Sequence, residues 1–169
     1  MNKKIIIALM LCALPFFAMA QKIGHINTSA VVEAMPERAS IEQSLNDLQS
    51  KWESDLLKSR DEYSKKVSDY QKNESTMSPA MKEAKQSEIA DMEQRINTLV
   101  QTAQSELQAE QQKLMQPVID KIKKAIEQVG AENGFTYIID ESTQVLVYIA
   151  PNSDDVTDLV KHKLGIKIK

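Results

Sequence analysis

The chain has 169 residues, of which 42% are hydrophobic and 27% charged, with a formal net charge of −3 and one cysteine. With 24 acidic residues against 21 basic ones it lacks the surplus of Lys and Arg that neutralising phosphates requires, which excludes a general nucleic-acid binder. A lone cysteine excludes an internal disulfide, so stability has to come from packing and association.

Lys3 and Lys4 open the chain, Ile5 to Phe17 form an uncharged apolar run, and Ala18-Met19-Ala20 ends it with small residues. That order predicts a secretory signal peptide over residues 1–20, cleaved after Ala20 to leave Gln21 first. The apolar run is too short to span a bilayer comfortably. Cys12 leaves with the leader, and Leu9-Met10-Leu11 before it lacks the small residues of a lipidation site. Loss of Lys3 and Lys4 takes the formal charge from −3 to −5. The expected product is soluble, exported and acidic.

Lys22 to Asn27 reads as a short strand, and Thr28 as the cap of a brief helix through Ala30, Val31, Val32 and Ala34 that stops before Pro36. No glycine then occurs from Arg38 to Val129, a span rich in Gln, Glu, Lys, Ala, Ser and Leu that predicts helix. Ile41, Leu45, Leu48, Trp52, Leu56, Tyr63, Val67, Tyr70 and Met77 recur at three- and four-residue steps. Ile89, Met92, Ile96, Leu99, Ala103, Leu107, Leu114 and Val118 repeat the rhythm. A mean step of about 3.6 describes nearly straight helices rather than a tight heptad seam. Between the two runs, Ser78 is an N-cap and Pro79 a first helical residue, so the helices are antiparallel neighbours joined by a short turn. Pro117 is expected to kink or restart the second helix, which ends at Gly130 or Gly134.

Phe135 to Asp140 and Val145 to Ile149 are two further strand candidates, joined by the polar residues Glu141 to Gln144. Pro151 to Asp155 leads into a final helix with Val156, Leu159, Val160 and Leu164 on one face. The fold class is therefore α+β, with a long antiparallel α-helical hairpin inserted into a small β-sheet domain. Residues 21–37 and 117–169 form that small α/β domain, and 38–116 form a coiled-coil arm with its tip near 73–79. Ile138, Ile139, Val145, Leu146 and Val147 look apolar on both faces of their strands, more than one covering helix would bury. Other copies of the chain are expected to complete the sheet, with Ile23, Ile26, Ile138, Val145 and Val147 as oligomerisation candidates.

No catalytic constellation is present. His25 and His162 fall on different elements and read as structural or solvated, without a third ligand at metal spacing. There is no phosphate-cradling glycine loop or G-x-S-x-G. Asp61-Glu62 and Asp154-Asp155 are adjacent and do not face each other as an acid–base pair would. Glu141, beside Asp140, reads as a solvated turn residue. No enzyme activity, cofactor or metal is expected. From Lys58 to Lys85 seven basic residues meet five acidic ones, so the tip is mildly positive on acidic shafts. That pattern fits either a surface laced with i,i+4 pairs or weak contact of the arm tips with an anionic membrane surface. Trp52, Tyr63, Tyr70, Met77 and Met81 either fill the seam between the helices or serve as client-binding residues.

The segment I-G-H-I-N-T-S-A-V-V-E-A-M-P-E (Ile23–Glu37), the long arms, F-T-Y-I-I-D-E (Phe135–Glu141), V-L-V-Y-I-A-P and D-D-V-T-D-L-V (Asp154–Val160) together resemble the Skp/OmpH family of periplasmic chaperones. The resemblance covers essentially the whole chain after the leader. It implies a periplasmic homotrimer in which a β-sheet body joins three hairpin arms around a cavity. It also implies an ATP-independent holdase that shields unfolded outer-membrane β-barrel proteins from aggregation. The acidic balance departs from that of well-known basic members, so no lipopolysaccharide or lipid site is carried over. A structural spacer or envelope adaptor, binding one folded partner through its arms, is the alternative from another class.

Overall fold

The computed structural model describes residues 21–167, so the predicted leader and its predicted cleavage after Ala20 lie outside the described residues. Strand β1 (Ile23–Ile26) is followed at once by helix α1 (Thr28–Ala34). Asn27, not Thr28, caps α1: its Oδ1 accepts from the Ala30 N–H at 2.8 Å. Thr28 is drawn elsewhere, its hydroxyl donating to Asp140 at 2.6 Å. Met35, with ψ 131°, has the extended backbone that a following proline imposes, and this ends α1 before Pro36.

Helix α2 (Glu37–Asn73) runs 37 residues, about 56 Å at 1.5 Å per residue. A 3₁₀ turn (Glu74–Thr76) follows, and Ser78 caps α3 (Pro79–Glu132) by accepting from the Met81 N–H at 3.4 Å. The two helices pack against each other as the predicted antiparallel hairpin. Pro117 does not break α3, whose 54 residues run on through it to Glu132. The next residues on that helix, Val118 and Ile122, are buried in the core, and their packing offsets the roughly 3 kcal/mol that an interior proline costs. Helix α3 ends where Gly134 takes φ 68°, a conformation that favours glycine.

Strand β2 (Tyr137–Asp140), a 3₁₀ turn (Glu141–Thr143), the two-residue strand β3 (Asp154–Asp155) and helix α4 (Thr157–Lys163) complete the chain. The sheet order is β2-β1-β3, all parallel, so the first strand sits in the middle of two strands made last. Gly24 allows this closeness. A Cβ there would stand 2.8 Å from the Phe135 ring and 3.2 Å from the Asp154 carbonyl oxygen.

The expected strand Val145–Ile149 does not form. Gln144 adopts φ 56° at the end of the 3₁₀ turn and carries the chain out of the sheet. The free edge of β1 is then taken by Asp154–Asp155. Ile26, Val31, Met35 and Ile41 pack with Val118, Ile122, Ala125 and Val129 of α3 and with Val156 and Val160 near α4, forming the core at the root of the hairpin. Beyond that root, Met92 and Ala103 are the arm's buried apolar residues among those described.

Candidate functional site

Two surfaces carry the candidate residues: the sheet face turned away from the helices, and the seam of the arm. In the parallel register Gly24 partners Ile138, Ile23 partners Tyr137 and His25 partners Ile139. Alternation sends Gly24, Ile26 and Ile138 toward the helices and Ile23, His25, Tyr137 and Ile139 to the opposite face. Ile26, proposed for oligomerisation, is 1% exposed in the chain's own core, and Ile138 packs against that core. Ile26 is therefore spent inside the chain, whereas Ile138 is only partly covered. Ile23 and Tyr137 are each about half exposed. Residues 146–150 cross this face, where Leu146, Tyr148 and Ile149 border a shallow cavity of about 160 Å³ with Ile23, His25 and Ile139. Val145, Val147 and Tyr148 point outward, and Val147 is 101% exposed. Exposed apolar side chains gathered in one place mark an interaction surface more often than scattered ones do.

A polar knot beside this face was not legible in the sequence. Glu141 is not merely solvated: it meets His25 Nδ1 at 2.9 Å and accepts from the Asn27 amide at 3.0 Å. Asp140 accepts from the Thr28 hydroxyl, the Thr28 N–H at 3.3 Å and the Ser142 N–H at 3.0 Å. Burial pushes the Asp140 carboxyl up, but the hydrogen bonds from Thr28 and Ser142 outweigh it and hold the group below the ordinary carboxylate range. Asp155 is likewise raised by burial and lowered further by hydrogen bonds from Thr157 and by the charges of His25 and Lys161. Thr157 in turn accepts from the Asn27 N–H at 3.0 Å. The knot ties β1 and the start of α1 to both C-terminal returns of the chain. The recurrence of Asn, Asp, Ser and Thr around turns was the available signal, since these side chains bond neighbouring backbone.

Along the arm, Trp52, Tyr63, Tyr70 and Met77 are half-buried, and Met81 is exposed beside the tip. The seam therefore covers these candidates only in part. Trp52 Nε1 is buried without a hydrogen-bond partner, an arrangement that typically costs about 1–3 kcal/mol. Tyr70 accepts from the Gln86 amide at 2.7 Å, linking the helices near the turn. Glu88 receives Lys85 at 3.0 Å and Lys66 at 3.3 Å, and these two hydrogen bonds lower its carboxyl. Lys58, Lys65 and Lys82 also have acidic partners, Asp55, Asp61 and Glu74. Five of the seven cations between Lys58 and Lys85 are thus paired, which favours the laced surface over an open basic tip. At the root, Lys121 meets Glu37 at 2.6 Å and holds that carboxyl low. An open groove there is lined by Val32, Ile41, Leu45 and Met115.

Residues 22–164 match the family model described as outer membrane protein (OmpH-like). A protein of Pectobacterium atrosepticum named Chaperone protein Skp is 21% identical over 155 residues, 92% of this chain and 93% of its own length. The fold is similar to the crystal structure of a candidate outer membrane chaperone (OmpH-like) from Caulobacter crescentus CB15. The TM-score is 0.71 at 17% identity, over 85% of this chain and 83% of that one.

Proposed function

The chain belongs to the OmpH-like outer membrane protein family, and on that premise we propose that it is a chaperone of the cell envelope, acting as an ATP-independent holdase for unfolded outer-membrane β-barrel proteins. The observation that carries this reading is the arm. Two helices project from a compact root with an apolar seam that is largely half-exposed, the surface a holdase offers to unfolded chains. Weak apolar contacts distributed along several arms combine by avidity while each remains reversible, so release needs no nucleotide. A chain held between arms is kept from meeting another chain and aggregating.

In this reading the protein is exported, the leader is removed after Ala20, and the body assembles as a homotrimer through the outer sheet face. Ile23, Val145 and Val147 are the candidates left exposed for that role. Trp52, Tyr63, Tyr70, Met77 and Met81 line the client-facing parts of the arms. Diluting a urea-unfolded β-barrel protein into the purified chain, at one trimer per client, should suppress light scattering from aggregates. Unchanged aggregation, together with capture of one folded envelope protein by crosslinking, would instead make the chain a spacer or adaptor.

A further inference from the structure

We propose that Gln21, once it becomes the first residue of the exported chain, is a modification site at which the chain closes on itself to form an N-terminal pyrrolidone. The proposal rests on the export reading above. Ala18-Met19-Ala20 places the cut before a glutamine, the one amide side chain whose carbonyl carbon lies a five-membered ring away from its own α-nitrogen. The α-nitrogen attacks Cδ, the new C–N bond forms, the Cδ–Nε2 bond breaks, and the amide nitrogen leaves as ammonia carrying the proton lost by the amine. Nothing is oxidised or reduced and no co-reactant enters.

The fold presents this residue in a way that favours closure. Gln21 is exposed, and the sheet takes hold of the chain at the next residue, where the Lys22 carbonyl accepts from the Thr136 N–H at 2.7 Å. The Lys22 side chain is held as well. Its ammonium donates to the Asn133 carbonyl at 3.3 Å, lies 3.9 Å from Asp154 and stands 4.0 Å from the centre of the Phe135 ring. Residue 21 therefore hangs from a fixed anchor, with its two reacting groups free to meet, and intraresidue closure has a high effective concentration. An α-amino group titrates at about 7.7–8.0, so a fraction is unprotonated and able to attack at neutral pH. Closure disturbs none of the contacts that hold Lys22. It removes the free amine that an aminopeptidase needs before it can trim Gln21 and then Lys22, the residue that anchors β1.

The full chain, with its own leader, is expressed in a Gram-negative host, and released periplasm is treated at once with formaldehyde and a borohydride. Methylation of the amine blocks any later closure. It also blocks trypsin at Lys22, so the diagnostic peptide runs from residue 21 to Arg38. Samples are taken from growing cells and through a long stationary phase. The expected peptide begins at residue 21, is lighter by one ammonia, carries no methyl on its first nitrogen, and becomes the major form with time. It should lose its first residue to pyroglutamyl aminopeptidase, and a Gln21→Asn chain should stay open and methylated. A peptide that begins at residue 21 but keeps its amide and its methylated α-nitrogen throughout overturns the modification while leaving export intact. A peptide beginning at any other residue overturns the cut after Ala20 and the modification together.

Discussion

Replacing Ile26 with alanine should unfold the arm along with the body. Ile26 is 1% exposed at the centre of the core, on the middle strand. The change removes three carbons, worth about 2.4 kcal/mol at roughly 0.8 kcal/mol each. A residual cavity of about 50 Å³ adds about 1 kcal/mol, for a total near 3.5 kcal/mol. With a urea slope of about 2 kcal/mol per molar, the midpoint should fall by about 1.7 M at fixed protein concentration. Trp52 is the single tryptophan and lies on α2, away from the cavity, so its fluorescence follows the arm rather than the substituted strand. Since Met92 and Ala103 are the buried apolar residues of the arm beyond its root, the hairpin has too little core to persist alone, and the Trp52 transition should shift with the body. Leu57→Ala, at a residue 66% exposed on the same helix, should change stability by less than about 0.5 kcal/mol. A Trp52 midpoint that stays in place while a body-specific probe moves would refute the coupling. Equal effects of the two substitutions would refute the assignment of stability to the root.

Gly24→Ala should destabilise by about 1–3 kcal/mol, because its Cβ meets the Asp154 carbonyl oxygen at 3.2 Å and that atom is fixed in β3; differential scanning calorimetry would read it, and an unchanged melting temperature would show that the sheet gives way freely. Asp140 and Asp155 have depressed carboxyls, so their contribution is fully present above the ordinary value of 3.8 and is lost as pH falls through their lower folded values. An acid titration of urea midpoints should show that loss, and Asp140→Asn should flatten it; a profile identical to the parent chain would exclude Asp140 as a source. Val147→Asp should leave the isolated fold intact, since the side chain is 101% exposed, yet weaken assembly at least about tenfold, or about 1.4 kcal/mol. Sedimentation over a range of concentrations checks it, and an unaltered mass distribution would remove Val147 from the interface.

The arm was legible because period, glycine exclusion and the Ser78-Pro79 cap all acted locally, and each is written within a few residues. The sheet was half legible. Phe135 to Asp140 announced a strand, but Val145 to Ile149 is equally apolar and is not one. Its fate was decided by the left-handed turn at Gln144 and by competition from Asp154–Asp155 for the edge of β1, neither of which local hydrophobicity records. At Pro117 the restart does not occur, since tertiary packing around Val118 and Ile122 carries the helix through a local breaker. Among the candidate site residues, alternation along β1 could have assigned Ile26 and Ile23 to opposite faces, whereas the pairing of His25 with Glu141 spans 116 residues and leaves no local trace.

The middle position of β1 also sets a timetable. A chain made or exported from its first residue onward delivers β1 early, but both strands that flank it arrive only with the last part of the sequence. Asn27 and Glu141, joined by a hydrogen bond, are 114 residues apart, and closing so long a flexible loop would cost about 4 kcal/mol beyond its constant term. The helical hairpin shortens that search, since its second helix walks the chain back to where the first began. Until the return is complete the central strand has both edges open. During that interval the newborn protein is itself an unpaired β-strand, in the same condition as the chains it is proposed to protect.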